Sequence, residues 1–436
     1  MKKIRFCAAA LALGIACSLA ACGGTEGQEE PPKGEEEMKL DNLVENFWET
    51  DTMYDETVML VAETDADGNI VSAPEGKLLF PVEEIVEVKQ YFHQDNSGIV
   101  TFQEGEDFTI EGNRIIAKGS IEENLFTGKK EFRTDMPFVT DKQVSGEDLF
   151  PGLATQDTGI PSTDAGLQLP YTETYHIVQM QISVTYKHAE GLWQKATPAY
   201  YGDTVLKRTA DKLKAKEKVE LFVFGDSIST GSNSSSVLNI TPYLDTWPEL
   251  TAKNLASYYG AEVNLTNKSM GGWTTMQAVS DTKSDGWVGG QLIQQYGIGK
   301  LLSDDMPDYK PDIALVGFGM NDATLGVDKN QFASNIRTII DTIRARNPEC
   351  DIILIGTMLA NPKALNQNKD QMSYFTVLEM VAELYDGVAA VNVGQMHQDL
   401  LDSGKAYIDM TGNNVNHPND FMARVYAMNM LSALIG

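Results

Sequence analysis

The chain has 436 residues, 42% of them hydrophobic, enough to bury a sizeable core and too many for one typical domain, so two domains of about 150 to 230 residues are expected. Its formal charge is −28 at pH 7, and losing Lys2, Lys3 and Arg5 with a signal peptide takes it to −31. Such a surface repels nucleic acid and offers no polybasic patch to a membrane, which excludes nucleic-acid binding and suits a soluble extracellular protein.

The first residues read as a targeting segment. Lys2, Lys3 and Arg5 form a basic start and Phe6 to Cys17 an apolar run, and Leu19-Ala20-Ala21-Cys22 resembles a bacterial lipobox. That resemblance implies cleavage before Cys22 and lipid attachment to it, making residues 1–21 a lipoprotein signal peptide and the protein an extracytoplasmic, membrane-anchored one. Simple secretion after a small-residue site is the alternative. Cys7 and Cys17 then leave with the signal and Cys22 takes lipid, so Cys350 stays alone and no internal disulfide is expected. Nothing near Cys350 lowers its pKa, and it reads as a small buried hydrophobe. Residues 22–39, with Pro31-Pro32 and Glu35-Glu36-Glu37, have too few apolar side chains to offset ordering entropy and read as a flexible acidic tether.

Residues 40–204 read mostly as strand, and a β-sandwich of the jelly-roll kind is expected. Thr57 to Ala62, Ile85 to Phe92, Gly98 to Phe102, Asp107 to Ile110 and Asn113 to Ala117 are short apolar or alternating runs, punctuated by Asp67-Gly68-Asn69 and Glu111-Gly112-Asn113. From His176 to Tyr186, Val178, Met180, Ile182, Val184 and Tyr186 alternate with Gln179, Gln181, Ser183 and Thr185, which predicts a half-buried antiparallel strand. Between Gly119 and Thr172 periodicity fails; the stretch could lie over the active site of the next domain or be a surface excursion.

Residues 205–436 alternate strand and helix. Leu206 to Lys218 is a short helix or linker. Strands are expected at Leu221–Phe224, Ala261–Leu265, Asp312–Gly317, Asp351–Gly356 and Val388–Val393, and helices at Pro242–Tyr259, Gln331–Arg346, Gln371–Leu384 and Asp420–Leu434. Units of this size imply a parallel sheet covered on both faces, a flavodoxin-like three-layer α/β/α domain. Residues Ala278 to Asp308, with Trp287, Gly289, Gly290 and Tyr296, interrupt the alternation as a lid, a substrate wall or a mere insertion.

The chemistry sits where these strands end. Gly225-Asp226-Ser227 follows the first, Asn267-Lys268-Ser269-Met270-Gly271-Gly272 closes the second, Gly319-Met320-Asn321-Asp322 closes the third, and His417-Pro418 precedes the last helix. Each alone is an ordinary turn. Together, in this order, they resemble the blocks of the SGNH (GDSL-type) hydrolase family, over about Val205 to Gly436. The resemblance implies a serine esterase: Ser227 as nucleophile, His417 as base, and the backbone N–H groups of Ser227 and Gly272 with the Asn321 amide as oxyanion donors. Gly271 is an adjacent alternative for the second donor. His397, expected in a turn after the fifth strand, reads as structural.

The sequence departs from the family pattern at Asn414, where an aspartate three residues before the histidine is usual. His417 could be held by Asn414 or a backbone carbonyl in a Ser-His dyad, by Asp409, or by Asp420, although Asp420 reads better as the cap of the last helix. The enzyme could also be impaired. Asp226 and Asp322 read as structural, bonding loop amides. No cluster has metal-ligand spacing and Gly289-Gly290 lacks the context of a phosphate loop, so no metal and no cofactor are implied.

The resulting expectation is a surface esterase removing O-acyl groups, most simply O-acetyl, from carbohydrate, with Trp273 either stacking on a sugar or packing. A lipase, lysophospholipase or thioesterase for longer acyl chains, a water-excluding acyltransferase, and a glycan-binding lipoprotein with a decayed site are the alternatives. Oligomeric state is not legible.

Overall fold

The computed structural model describes residues 41–91, 98–145, 159–164, 168–367 and 370–435. The expected signal peptide, tether and Cys22 lie outside these residues, as does the end of the strand expected to reach Phe92. The described residues form one compact unit.

Five strands, Val263–Asn267, Val219–Gly225, Ile313–Gly317, Asp351–Gly356 and Val388–Asn392, lie side by side in that order, each pair parallel. Their runs are apolar throughout because both faces are covered. Leu221, Val223, Leu315, Ile353 and Ile355 face one core, shared with the helices Trp247–Tyr259 and Asp420–Leu434. Phe222, Phe224, Val316, Ile352 and Leu354 face the other, shared with the helices Lys329–Arg346 and Gln371–Ala382. This is the expected three-layer domain. Strand order reverses at Val219–Gly225, so a ligand crevice opens at that strand's carboxyl end.

The N-terminal region is built of strands. Thr52–Met59, Gln181–Lys187, Glu84–Gln90 and Val100–Phe102 form an antiparallel sheet in that order. A second sheet runs Val139–Thr140, Val61–Ala62, Glu75–Lys77, Arg114–Ala117 and Phe108–Glu111, antiparallel except for its first pair. Val58, Val88 and Ile182 of the first sheet and Phe108 and Ile115 of the second share one core.

The helix expected from Pro242 starts only at Trp247, and two further elements differ in kind from expectation. The strand foreseen from His176 begins only at Gln181, after a 3-10 turn at Val178–Met180, and Gln181 to Tyr186 is buried on both faces. Its polar face is buried against other polar groups: Gln181 Nε2 donates to the carbonyls of Ile408 and Thr411 in the loop before the last helix, Asn419 Nδ2 donates to Gln181 Oε1, and the Ser183 and Thr185 hydroxyls donate to Asp55 Oδ1. His397 lies inside a helix, Val393–Asp402, not a turn. It is fully buried, its Nδ1 accepts from the Leu359 N–H, and burial pulls its pKa down to about 3. Cys350 is buried, and burial pushes its thiol pKa up.

Candidate active site

The central strand stops at Gly225, where a Cβ would come within 2.4 Å of the Gly317 carbonyl oxygen and of Ser229 Oγ. Asp226 caps the single helical turn Ser227–Thr230, its Oδ1 accepting from the Ile228 N–H at 3.0 Å. Ser227 is thereby fixed at the first position of that turn. Asp226 Oδ2 is buried without a hydrogen-bond partner among the described residues, and burial pushes this carboxyl up to about 7. Asp322 accepts from the Thr275 N–H and hydroxyl, and burial raises it to about 6. Both carboxylates hold loops.

Ser227, Gly271, Gly272, Asn321 and His417 line one cleft of about 590 Å³. The Gly271 N–H is engaged, donating to the Trp287 carbonyl at 2.8 Å, whereas Gly272 has φ +82° and open space where a Cβ would stand. Gly272, not Gly271, is thus the glycine a substrate can approach. Asn321 Nδ2 gives one hydrogen to the Trp273 carbonyl at 2.9 Å and keeps its second.

His417 is positioned by a loop hung on Asn413, whose Oδ1 accepts from the N–H groups of Val415, Asn416 and His417, each at 3.0 Å. Its Nε2 lies 2.8 Å from Ser227 Oγ. On the other side, Nδ1 faces Asn233 Oδ1 at 2.6 Å and Glu173 Oε2 at 3.1 Å. Both neighbours of Nδ1 are acceptors, so Nδ1 carries the proton and Nε2 accepts from the serine hydroxyl. Burial opposes the charged imidazole, but the Glu173 carboxylate, with a smaller contribution from Asp226, outweighs it and raises the His417 pKa above its usual value. Burial likewise works against ionised Glu173, yet the facing imidazole and hydrogen bonds from Tyr171 and Asn413 hold its pKa at about 2.

None of the groups expected to orient His417 does so. Asn414 turns away: its Oδ1 accepts from Asn361 and its Nδ2 donates to the Pro170 carbonyl. Asp409 accepts from the Met59 N–H and faces Lys405, while Asp420 accepts from the Ser235 N–H. The cap of the last helix is Asn419, so Asp420 does not fill that role either. Trp273 is buried and bonded to the Asp285 carbonyl, which leaves it no face for a sugar. The exposed tryptophan of the cleft is Trp287, 53% accessible, on the hairpin Ser284–Val288/Gln291–Gln295. Within the aperiodic stretch, Gly159–Pro161 pairs with Gln168–Pro170, leading to Tyr171 and Glu173 in the cleft wall.

Residues 223–425, just under half of the chain, match the model of the GDSL-like lipase/acylhydrolase family. That segment is a GDSL-like lipase/acylhydrolase domain. Glu173 lies outside the matched GDSL-type segment, and Asn233 lies inside it. No curated protein matches the chain in sequence. Among solved structures it is similar to a two-domain esterase active on acetylated mannans, with 17% identity, TM-score 0.39, and 53% of this chain and 52% of that one covered. It is also similar to an acetyl xylan esterase from Geobacillus stearothermophilus, with 16% identity, TM-score 0.36, and 49% and 93% covered. A family 3 carbohydrate esterase from Clostridium thermocellum gives 13% identity, TM-score 0.34, and 50% and 96% covered. The chain thus spans about half the length of the two-domain esterase.

Proposed function

We propose that the protein is a serine ester hydrolase that removes short O-acyl groups, O-acetyl first, from a carbohydrate. The observation that carries this is the 2.8 Å contact between Ser227 Oγ and His417 Nε2 in a cleft that also holds Gly272 and the Asn321 amide. In the reaction, His417 Nε2 takes the hydroxyl proton as Oγ attacks the acyl carbon. The oxyanion that forms is met by the N–H groups of Ser227 and Gly272 and by Asn321 Nδ2. His417 then returns the proton to the departing alcohol, and water, activated by the same nitrogen, hydrolyses the acyl-enzyme.

The cleft favours a polyhydroxy alcohol. Its walls carry Asn366, Asn416 and Tyr171 as hydrogen-bonding groups, with Trp287 as an exposed aromatic face. Exposed Val288, Leu292 and Ile293 on the same hairpin favour the second reading, a longer acyl chain laid along that element. Hydrolysis of nitrophenyl acetate, butyrate and octanoate, with Ser227→Ala in parallel, tests both. Acetate preference that disappears with Ser227→Ala supports the first, octanoate preference the second. Equal inactivity of both proteins, with no labelling of Ser227 by a fluorophosphonate, overturns ester hydrolysis itself.

A further inference from the structure

We propose that Glu173 is the positioning residue of this site, delivered to His417 from outside the GDSL-type segment by an arm of the N-terminal region. The inference rests on the reading of Ser227 and His417 as nucleophile and base. Its grounds are geometric. Glu173 Oε2 faces His417 Nδ1 at 3.1 Å, while Oε1 is fixed by the Tyr171 hydroxyl at 2.6 Å and Asn413 Nδ2 at 3.1 Å. A carboxylate held at both oxygens in this way keeps its orientation toward the ring.

The arm itself is docked. Leu169 packs with Ala364 and Val415, the Pro170 carbonyl accepts from Asn414 Nδ2, and the Thr163 N–H donates to the Lys363 carbonyl. Asn414 therefore serves the site at one remove: it anchors the strand whose next residues bring in the carboxylate. An aspartate at 414 would instead set an anion against the Pro170 carbonyl, which has no proton to offer.

Two acceptors share one Nδ1 proton, and they divide the work. Asn233 Oδ1, the nearer at 2.6 Å, fixes the tautomer, and Glu173 supplies the negative charge that stabilises the imidazolium formed as Ser227 attacks. Asn233 is neutral and cannot do the second. Nearly half of the Glu173 side chain is accessible, 48%, so water screens the charge and its effect is smaller than that of a sealed pair.

The test is Glu173→Gln, which keeps shape and removes charge. His417 acts as base only when neutral, so activity rises as pH rises through its pKa. Removing the facing anion lowers that pKa, and with Asp226 as the other charged group near the ring, the acid limb of kcat/KM moves to lower pH. The kcat at the plateau falls about ten- to a hundredfold with KM little changed. Adding Asn233→Asp puts a carboxylate back on Nδ1, so the double variant recovers the limb and part of the kcat. A plateau that falls with an unmoved limb and no recovery in the double variant means that Glu173 only braces the arm, and overturns the proposal. NMR titration of the His417 ring in Ser227→Ala, with and without Glu173→Gln, reads the same effect without turnover. An unchanged ring titration sinks the role of Glu173, whereas absent turnover with a shifted titration sinks only the esterase reading.

Discussion

A donor is worth most where charge appears during the reaction, and in the proposed reaction Asn321 meets that charge with the Nδ2 hydrogen it does not give to the Trp273 carbonyl. Asn321→Ala is therefore expected to lower kcat by about a hundred- to thousandfold and leave KM nearly unchanged. Steady-state kinetics on nitrophenyl acetate check it; a rise in KM with kcat intact assigns Asn321 to ground-state binding instead. Residues of this kind were legible in the sequence because each sits in a short local block at a strand end. Glu173 was not, since Thr172-Glu173-Thr174 carries no pattern and its partner is 244 residues away. The only traces were indirect: an amide at Asn414 where a carboxylate was expected, and a stretch from Gly119 to Thr172 without periodicity. Asn233 was hidden differently, as one more polar residue in a Ser/Asn loop whose left-handed backbone, φ +65°, aims it at the ring.

At the scale of elements, the hairpin Ser284–Val288/Gln291–Gln295 has two separable jobs, one in its backbone and one in its side chains. Its backbone pairs Trp287 with Gly271 in both directions, at 2.8 and 3.1 Å, and so steadies the loop that presents Gly272. Its Trp287 ring faces the cleft. Trp287→Ala is expected to raise KM about three- to tenfold for an acetylated oligosaccharide and to leave nitrophenyl acetate turnover nearly unchanged, since only stacking is lost. Gly286→Ala acts on the backbone: its new Cβ would come within 2.8 Å of both Met270 Cε and Trp273 Nε1, so the hairpin must shift. That variant should lose kcat on both substrates. Equal behaviour of the two variants on both substrates would leave the division of labour without support. Regular elements were the most legible part of the chain, as in the strand Asp351–Gly356 and the helix Asp420–Leu434. Where legibility failed, polarity or continuity misled. The strand Gln181–Lys187 looked half exposed because its polar face is buried against another polar surface. The helix Val393–Asp402 follows its strand without a loop, Asn392 ending one and capping the other by accepting from the Gln395 N–H.

On the scale of the whole molecule, the strand-built region and the parallel-sheet layers are joined by charges sealed from water. Lys405 is fully buried, its Nζ 2.7 Å from Glu56 Oε1 and 2.8 Å from the Thr57 carbonyl, with Asp409 Oδ2 at 3.6 Å. Glu56 also accepts from the Leu79 N–H and the Tyr186 hydroxyl, and Asp409 from the Met59 N–H, so each charge has its hydrogen bonds filled across the junction. Arg424, on the last helix, is buried as well and donates to the carbonyls of Tyr54, Asp55 and Leu43. Replacing one partner of such a group strands the other. Lys405→Met is expected to cost about 3–5 kcal/mol, because buried Glu56 is left without its counter-charge, and adding Glu56→Gln should recover part of that loss while keeping an acceptor for Tyr186. Urea unfolding followed by tryptophan fluorescence and by far-UV circular dichroism checks both points. Coincident curves are expected, because one apolar core already runs from Val58 and Ile182 through Leu221 to Tyr426 and the two regions should melt together. Two separated transitions, or a Lys405→Met protein as stable as the original, would show the junction to be a loose contact. Glu173 would then hang on a region free to move away from His417.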